Sequence, residues 1–209
     1  KGKNGVVLAM NPNNGEILVM LSSPAYDPST YQEGISLEQW ASWISNPYKP
    51  LFDKTTGGAF PPGSLYKPVL ALAALNEGLI KESSKVHCSG KWNLGRDSFH
   101  CHKRTGHGKI NLRQALVLSC DSFFYSLGLD LGIDRIAQYA KIMGLGKKLG
   151  LEVNYEASGF IPSFNEKPRF GRKVRRGDIP PLSIGQGSNL LTPIQMLTLY
   201  AIIANGGTI

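Results

Sequence analysis

The stretch that most limits what this chain can become is Phe60-Pro61-Pro62-Gly63-Ser64-Leu65-Tyr66-Lys67-Pro68. It runs into an apolar, alanine-rich segment, Val69 to Leu75, that stops at Asn76-Glu77-Gly78. This pattern predicts a helix with Ser64 at or beside its N-cap and a glycine terminator. Ser64 and Lys67 are three residues apart and so share a helix face. A serine alcohol is a poor nucleophile until a base removes its proton, and a lysine one turn away can be that base. The helix N-terminus adds free N–H groups and a positive dipole end, which suit a developing oxyanion. The same spacing also describes a capping serine beside a surface lysine, so Ser-x-x-Lys alone does not decide between chemistry and structure.

Length and composition set bounds. The 209 residues suit one domain or part of one. An apolar content of 42% supports a real core. No apolar run is long enough to span a bilayer, and no signal peptide is visible. The chain opens with Lys1 rather than Met, and we expect it to be a piece of a longer protein. A net charge of +8 suits nucleic acid, an anionic membrane or an acidic cell wall. No nucleic-acid motif accompanies the charge, so nucleic acid ranks last. Three cysteines is an odd number, so disulfides cannot use them all.

In chain order, Gly5 to Met10 and Glu16 to Ser22 flank the turn formers Asn11-Pro12-Asn13-Asn14-Gly15 and predict a β-hairpin. Its hydrophobicity is nearly continuous, which implies that both faces are covered. Ser36-Leu37-Glu38-Gln39 has capping-box spacing and opens a short helix through Trp40 and Trp43, ended at Asn46-Pro47. Lys54-Thr55-Thr56-Gly57 reads as part of the loop leading to Ser64. Lys81 to Lys109 shows no periodicity; it holds Cys88, Cys101 and all four histidines, His87, His100, His102 and His107. A structureless stretch this long needs something to hold it. Asn111 caps Leu112 to Leu118. Ser119-Cys120-Asp121 precedes a helix over Ser122 to Leu131. A further helix runs from Asp134, as its cap, to Met143 before Gly144. Leu145 to Ile161 gives no clear signal. Lys167 to Arg176 holds six basic residues in ten, a solvated loop or one that touches an anionic polymer or lipid headgroups. Thr192-Pro193-Ile194-Gln195 opens a helix to about Ala204.

Taken in order, Pro61-Pro62-Gly63-Ser64, Lys67, Gly106-His107-Gly108, Ser119-Cys120-Asp121, Asp121-Ser122-Phe123-Phe124-Tyr125 and Gly185-Gln186-Gly187 resemble the class B penicillin-binding transpeptidases of bacterial cell-wall synthesis, on the elongation-type branch. The resemblance covers nearly the whole chain. It implies an α+β fold, the penicillin-binding/serine β-lactamase-like transpeptidase fold, with an antiparallel sheet packed by helices. That fold is incomplete here: residues 1–23 supply a hairpin of the central sheet, and residues 24–209 a mainly helical region carrying the first two motifs. The third motif, a Lys-Thr-Gly strand, is expected shortly after Ile209, and a membrane anchor before Lys1, on the periplasmic side of the cytoplasmic membrane. The chain alone is therefore expected to be inactive. The implied activity is D,D-transpeptidation through an acyl-enzyme on Ser64, with Lys67 as base. Ser119 relays a proton, Asp121 stands beside Lys67, and the Gly185-Gln186-Gly187 turn is support. The implied partners are peptidoglycan stem peptides, β-lactams, a SEDS-type glycosyltransferase and a cell-shape scaffold. A carboxypeptidase or serine β-lactamase would share Ser64 and Lys67, and a non-catalytic scaffold is the alternative of another class.

All three cysteines fall in or just after the stretch without periodicity, and three thiolates with one imidazole make a closed tetrahedral zinc set. Spacing alone does not match a common zinc finger. The resemblance implies a structural zinc beside the active site, held by Cys88, Cys101, His107 and Cys120, with His102 or His87 as substitutes for Cys88; catalysis itself needs no cofactor. A Cys88–Cys101 disulfide with Cys120 buried, or three unconnected thiols, are the alternatives.

Overall fold

The computed structural model describes residues 3–168 and 171–208. Contacts group the chain into two units. One comprises Lys1–Phe60, Lys147–Gly159 and Leu191–Ile209; the other comprises Pro61–Gly146 and Phe160–Leu190.

In the first unit, β1 (Gly5–Met10) and β2 (Ile17–Ser23) form the expected antiparallel hairpin, Gly5 opposite Ser23, with a bulge at Ala9/Met10. Two short helices follow, α1 (Thr30–Glu33) and α2 (Leu37–Ser45). Ser36 caps α2 by accepting the Gln39 N–H. Lys54, Thr55 and Thr56 are buried in a turn, not a strand. The Ala157 N–H donates to the Thr56 carbonyl, and the Ile194 N–H to that of Thr55. The last helix, which chain order makes α8 (Pro193–Ala204), has the predicted capping box between Thr192 and Gln195 and packs on β1. The expectation that both faces of the hairpin are covered is not met within this unit. Leu18, Val19, Met20 and Leu21 are all exposed, because a two-stranded ribbon has more apolar face than one helix covers.

The second unit is built on α3 (Lys67–Asn76) and α5 (Asp121–Leu131), which pack together. In α3, Val69, Leu70, Ala71, Ala73 and Ala74 are buried, so more than one side of the helix is covered by its neighbours. A Schellman ending closes α3: the Gly78 N–H donates to Leu75 and the Leu79 N–H to Ala74. Asn111 forms a capping box with Gln114 at the start of α4 (Leu112–Val117). The helix α6 (Ile133–Ile142) packs on α3 and α5, and α7 (Ile179–Ser183) packs on α5. Asp134 does not cap α6. It lies inside the first turn, and its carboxylate accepts the Phe164 N–H instead.

Residues 81–109 are not structureless. They contain β3 (Lys85–Cys88), β4 (Lys91–Leu94) and β5 (Asp97–His100), and β6 (Gly108–Asn111) closes them. β3 pairs antiparallel with β6, and β4 with β5. Strands of four residues are too short to show a period, and half of their positions face solvent. The β4–β5 pair seats Trp92 and Phe99 against Tyr125 of α5, with ring centroids 5.8 and 5.7 Å apart. No helix among the described residues is long and apolar enough to cross a membrane.

Candidate active site

The predicted helix start differs in one respect. Ser64 lies in a 3-10 turn, Gly63–Tyr66, just ahead of α3 rather than at its cap. The Lys67 N–H donates to the Ser64 carbonyl, the i to i+3 bond of that tighter turn. Side chains three apart nearly eclipse in this geometry, so Ser64 and Lys67 still share a face. Ser64 is exposed, whereas Lys67 is only 1% exposed.

Burying an ammonium requires partners for every donor. Lys67 Nζ has three: the Ser119 carbonyl at 2.8 Å, Ser119 Oγ at 2.9 Å and Asp121 Oδ1 at 2.7 Å. The Phe124 ring lies beneath it, its centroid 5.5 Å away. Ser119 Oγ also bonds Ser64 Oγ at 2.7 Å. Ser119 thus stands between nucleophile and lysine in one hydrogen-bond chain. Its backbone is unusual, with φ +48, a left-handed conformation rare for serine. That kink separates α4 from α5 and lets both the carbonyl and the hydroxyl of one residue reach Lys67.

Asp121 is the first residue of α5. Its other oxygen, Oδ2, accepts the backbone N–H of His102 at 2.9 Å and lies 3.5 Å from His102 Nδ1. The Gly185-Gln186-Gly187 turn braces the nucleophile from the other side. The Gly63 N–H donates to the Gly185 carbonyl at 2.9 Å, and a Cβ on Gly185 (φ +71) would sit 2.2 Å from the Gly63 oxygen. Glycine is therefore required at 185.

Cys88 ends β3, Cys101 follows β5, His107 precedes β6 and Cys120 caps α5. Their ligand atoms all lie within 4.8 Å of one another. His107 Nδ1 is 3.6 Å from Cys88 Sγ and 3.6 Å from Cys101 Sγ, and Cys101 Sγ is 4.0 Å from Cys120 Sγ. Four-coordinate zinc places its ligands ~3.6 Å (S to N) and ~3.8 Å (S to S) apart, from its ordinary bond lengths. The donor set and its spacing fit that ion, and the three thiols are free and buried. Backbone bonds hold the loop: the Cys101 N–H donates to Gly90 and the His107 N–H to Cys88. Gly106 is packed so closely that a Cβ would lie 2.2 Å from the Cys88 oxygen. Burial pushes the Cys88 thiol up, but hydrogen bonding from Ser122, His107 and Gly90 outweighs it and brings the thiol down to about 6. Burial pushes the Cys120 thiol up, and its cysteine neighbours add to that. A bound cation would favour the thiolate form of all three.

All eight site residues expected from the sequence are thus gathered in one unit, in two adjoining groups. His102 belongs to neither; it turns toward Asp121 and Cys101, and neither it nor His87 stands in for Cys88. Sequence reading missed the Phe124 ring, the His102 backbone donor and the Gly63–Gly185 contact. The last two are long-range backbone meetings with no signature in spacing.

Residues 5–209 match the family model for the penicillin-binding protein transpeptidase domain, and the chain belongs to that family. Among curated relatives, the peptidoglycan D,D-transpeptidase MrdA of Acinetobacter baumannii is 35% identical over 210 residues, 99% of this chain and 31% of the relative. Among solved structures, Pseudomonas aeruginosa PBP2 in complex with WCK 5153 matches with a TM-score of 0.91 at 34% identity, covering 99% of this chain and 48% of that one. PBP2 of Helicobacter pylori, solved as a complex with MreC, matches with a TM-score of 0.93 at 35% identity, covering 98% of this chain and 39% of that one. The chain spans about a third of the length of the curated relatives it matches.

Proposed function

We propose that the protein to which this chain belongs is a peptidoglycan D,D-transpeptidase of cell elongation, with Ser64 as its acylated nucleophile. The observation that carries this reading is the unbroken chain from Ser64 through Ser119 to a buried Lys67 held by Asp121. The relatives named as D,D-transpeptidases support the reaction class. Ser64 Oγ attacks the penultimate D-alanine carbonyl of a stem peptide. The Ser64 proton moves first to Ser119 Oγ, which passes its own proton to Lys67 Nζ; Lys67 enters this step as the neutral amine, with its lone pair toward Ser119 Oγ. A proton returns by the same path to the leaving D-alanine amine. The amine of a neighbouring stem then takes the acyl group, forming the crosslink, while a β-lactam stalls at the acyl stage. The Ser64 backbone N–H supplies one donor for the oxyanion. In this reading residues 1–209 are one part of the transpeptidase domain. The rest of the sheet covers the open hairpin and brings the third motif, and a membrane anchor holds the domain in the periplasm. A cell-shape protein and a SEDS-type glycosyltransferase are its partners, the former by analogy with the relative solved with MreC.

Cys88, Cys101, His107 and Cys120 hold a structural zinc in this proposal. When bound it supplies charge compensation for three buried thiolates. Cys120 lies between Ser119 and Asp121, so fixing its side chain fixes the backbone that aims both at Lys67.

The test is labelling of the complete protein with fluorescent penicillin. Ser64→Ala should abolish labelling and leave the fold intact, and Lys67→Met should slow labelling by about a hundredfold or more. Labelling that survives in Ser64→Ala removes Ser64 from the mechanism.

A further inference from the structure

The contact between His102 and Asp121 does not belong to the buried four-ligand set, and the acylation chain does not need the His102 side chain. We propose that Cys101, His102 and Asp121 form a second, solvent-open zinc position, and that an ion held there draws Asp121 away from Lys67 and slows acylation of Ser64. The second half of this statement rests on the acylation reading above; the first half does not.

The geometry carries the site. Cys101 Sγ and His102 Nδ1 are 3.8 Å apart, and His102 Nδ1 and Asp121 Oδ2 are 3.5 Å apart. The three ligand atoms lie within 4.8 Å of one another. Four-coordinate zinc spaces S and N ligands by ~3.6 Å and N and O ligands by ~3.4 Å, so small rotamer adjustments suffice. One thiolate, one imidazole and one carboxylate, with room for water, is the pattern of an open zinc site rather than a closed one. The His102 side chain is 55% exposed, which gives an ion its way in and leaves a position for water. Cys101 is common to both sets. A thiolate sulfur has lone pairs to spare and can bridge two ions. The position is therefore weaker than the buried set and fills only when zinc is in excess.

The consequence follows from what Asp121 already does. Oδ1 holds Lys67 Nζ at 2.7 Å, and this carboxylate is the only anion bonded to that buried ammonium among the described residues. A dication on Oδ2 competes for the same carboxylate and weakens the contact that positions Lys67 Nζ. Lys67 then loses its placement against Ser119, and the relay from Ser64 is interrupted at its far end. The site would make acylation sensitive to surplus zinc while the buried ion stays in place.

The experiment adds zinc chloride to the complete, metal-retaining protein, counts bound zinc by elemental analysis at equilibrium with free zinc across a dialysis membrane, and times labelling by fluorescent penicillin. The wild type should take up one equivalent beyond its resident zinc, and labelling should slow roughly tenfold, a fraction of the loss expected on removing the base itself. His102→Ala keeps the residue 102 N–H that Asp121 accepts. It should label at the wild-type rate without added zinc, refuse the extra equivalent and ignore surplus zinc. With cobalt in place of zinc, the thiolate absorption of the second equivalent should vanish in the same variant. A wild type that takes up no more zinc than His102→Ala overturns the proposal, as does equal slowing in the two. The two readings fail separately. Protein isolated without zinc would refute the buried site, yet a single equivalent that depends on His102 would uphold this one. Labelling that survives Ser64→Ala would refute the acylation reading, yet the zinc count would still report the second position.

Discussion

The two units handle apolar surface in opposite ways. In the second, α3 and α5 bury Val69, Leu70, Phe123, Phe124 and Leu127, and a lysine is buried among them with all its donors satisfied. In the first, the hairpin presents Leu18 through Leu21 to solvent, Leu18 at 60% exposure. A helix pair completes its own core from local sequence, because each helix satisfies its own backbone and needs only one partner face. A two-stranded ribbon does not, and lasting stability asks for more strands or a packed layer. The candidate site groups lie in the second unit, on elements that pack on one another.

This contrast can be broken by experiment, starting where the largest effect is expected. If the proposed zinc is held there, Cys120→Ser should lose it and much thermal stability together, since metal affinity in such a loop is folding free energy. Elemental analysis and calorimetry read both, and a Cys88–Cys101 disulfide found by mass spectrometry in freshly isolated, metal-free protein would refute the metal reading. Leu70→Ala, in the packed unit, should cost about 2–5 kcal/mol by denaturant unfolding. Gly185→Ala should cost about 1–3 kcal/mol, from a strained backbone and the clash with Gly63, and should slow penicillin labelling as well. A variant as stable and as fast as wild type would show that the turn does not brace Ser64. Leu18→Thr, in the hairpin, should change the stability of residues 1–209 by less than about 0.5 kcal/mol. In the complete protein the same change should cost about 1.5 kcal/mol or more if further sheet covers the side chain. Equal small costs in both would mean that the hairpin stays open.

Much of this architecture was legible before any coordinates. The capping boxes at Asn111 and Thr192, the cap at Ser36 and the glycine stop at Gly78 are local devices, and local devices are written in contiguous residues. The Ser64/Lys67 spacing showed the two on one face in the same way. Where local rules competed, the reading slipped. Asp134 has a capping side chain, but Gly132 breaks the helix earlier and Asp134 is drawn to Phe164. Four-residue strands between Lys85 and Asn111 carry too few positions for a period to emerge.

What the sequence determined by itself is the inventory: a serine, a lysine three residues on, a second serine before an acid, three cysteines and the histidine between two glycines. What only the tertiary structure decided is who meets whom. Ser119 reaches Lys67 because of a left-handed backbone that a serine adopts only when its surroundings impose it. Cys88 and Cys120 meet because β3 pairs with β6 and α5 begins where the two loops converge. His102 lies against Asp121 and Cys101 but outside the buried four-residue group, and its backbone N–H is bonded to that carboxylate. Such meetings span tens of residues, and their cost is met by packing of the whole unit. No window of sequence short enough to show a pattern contains them.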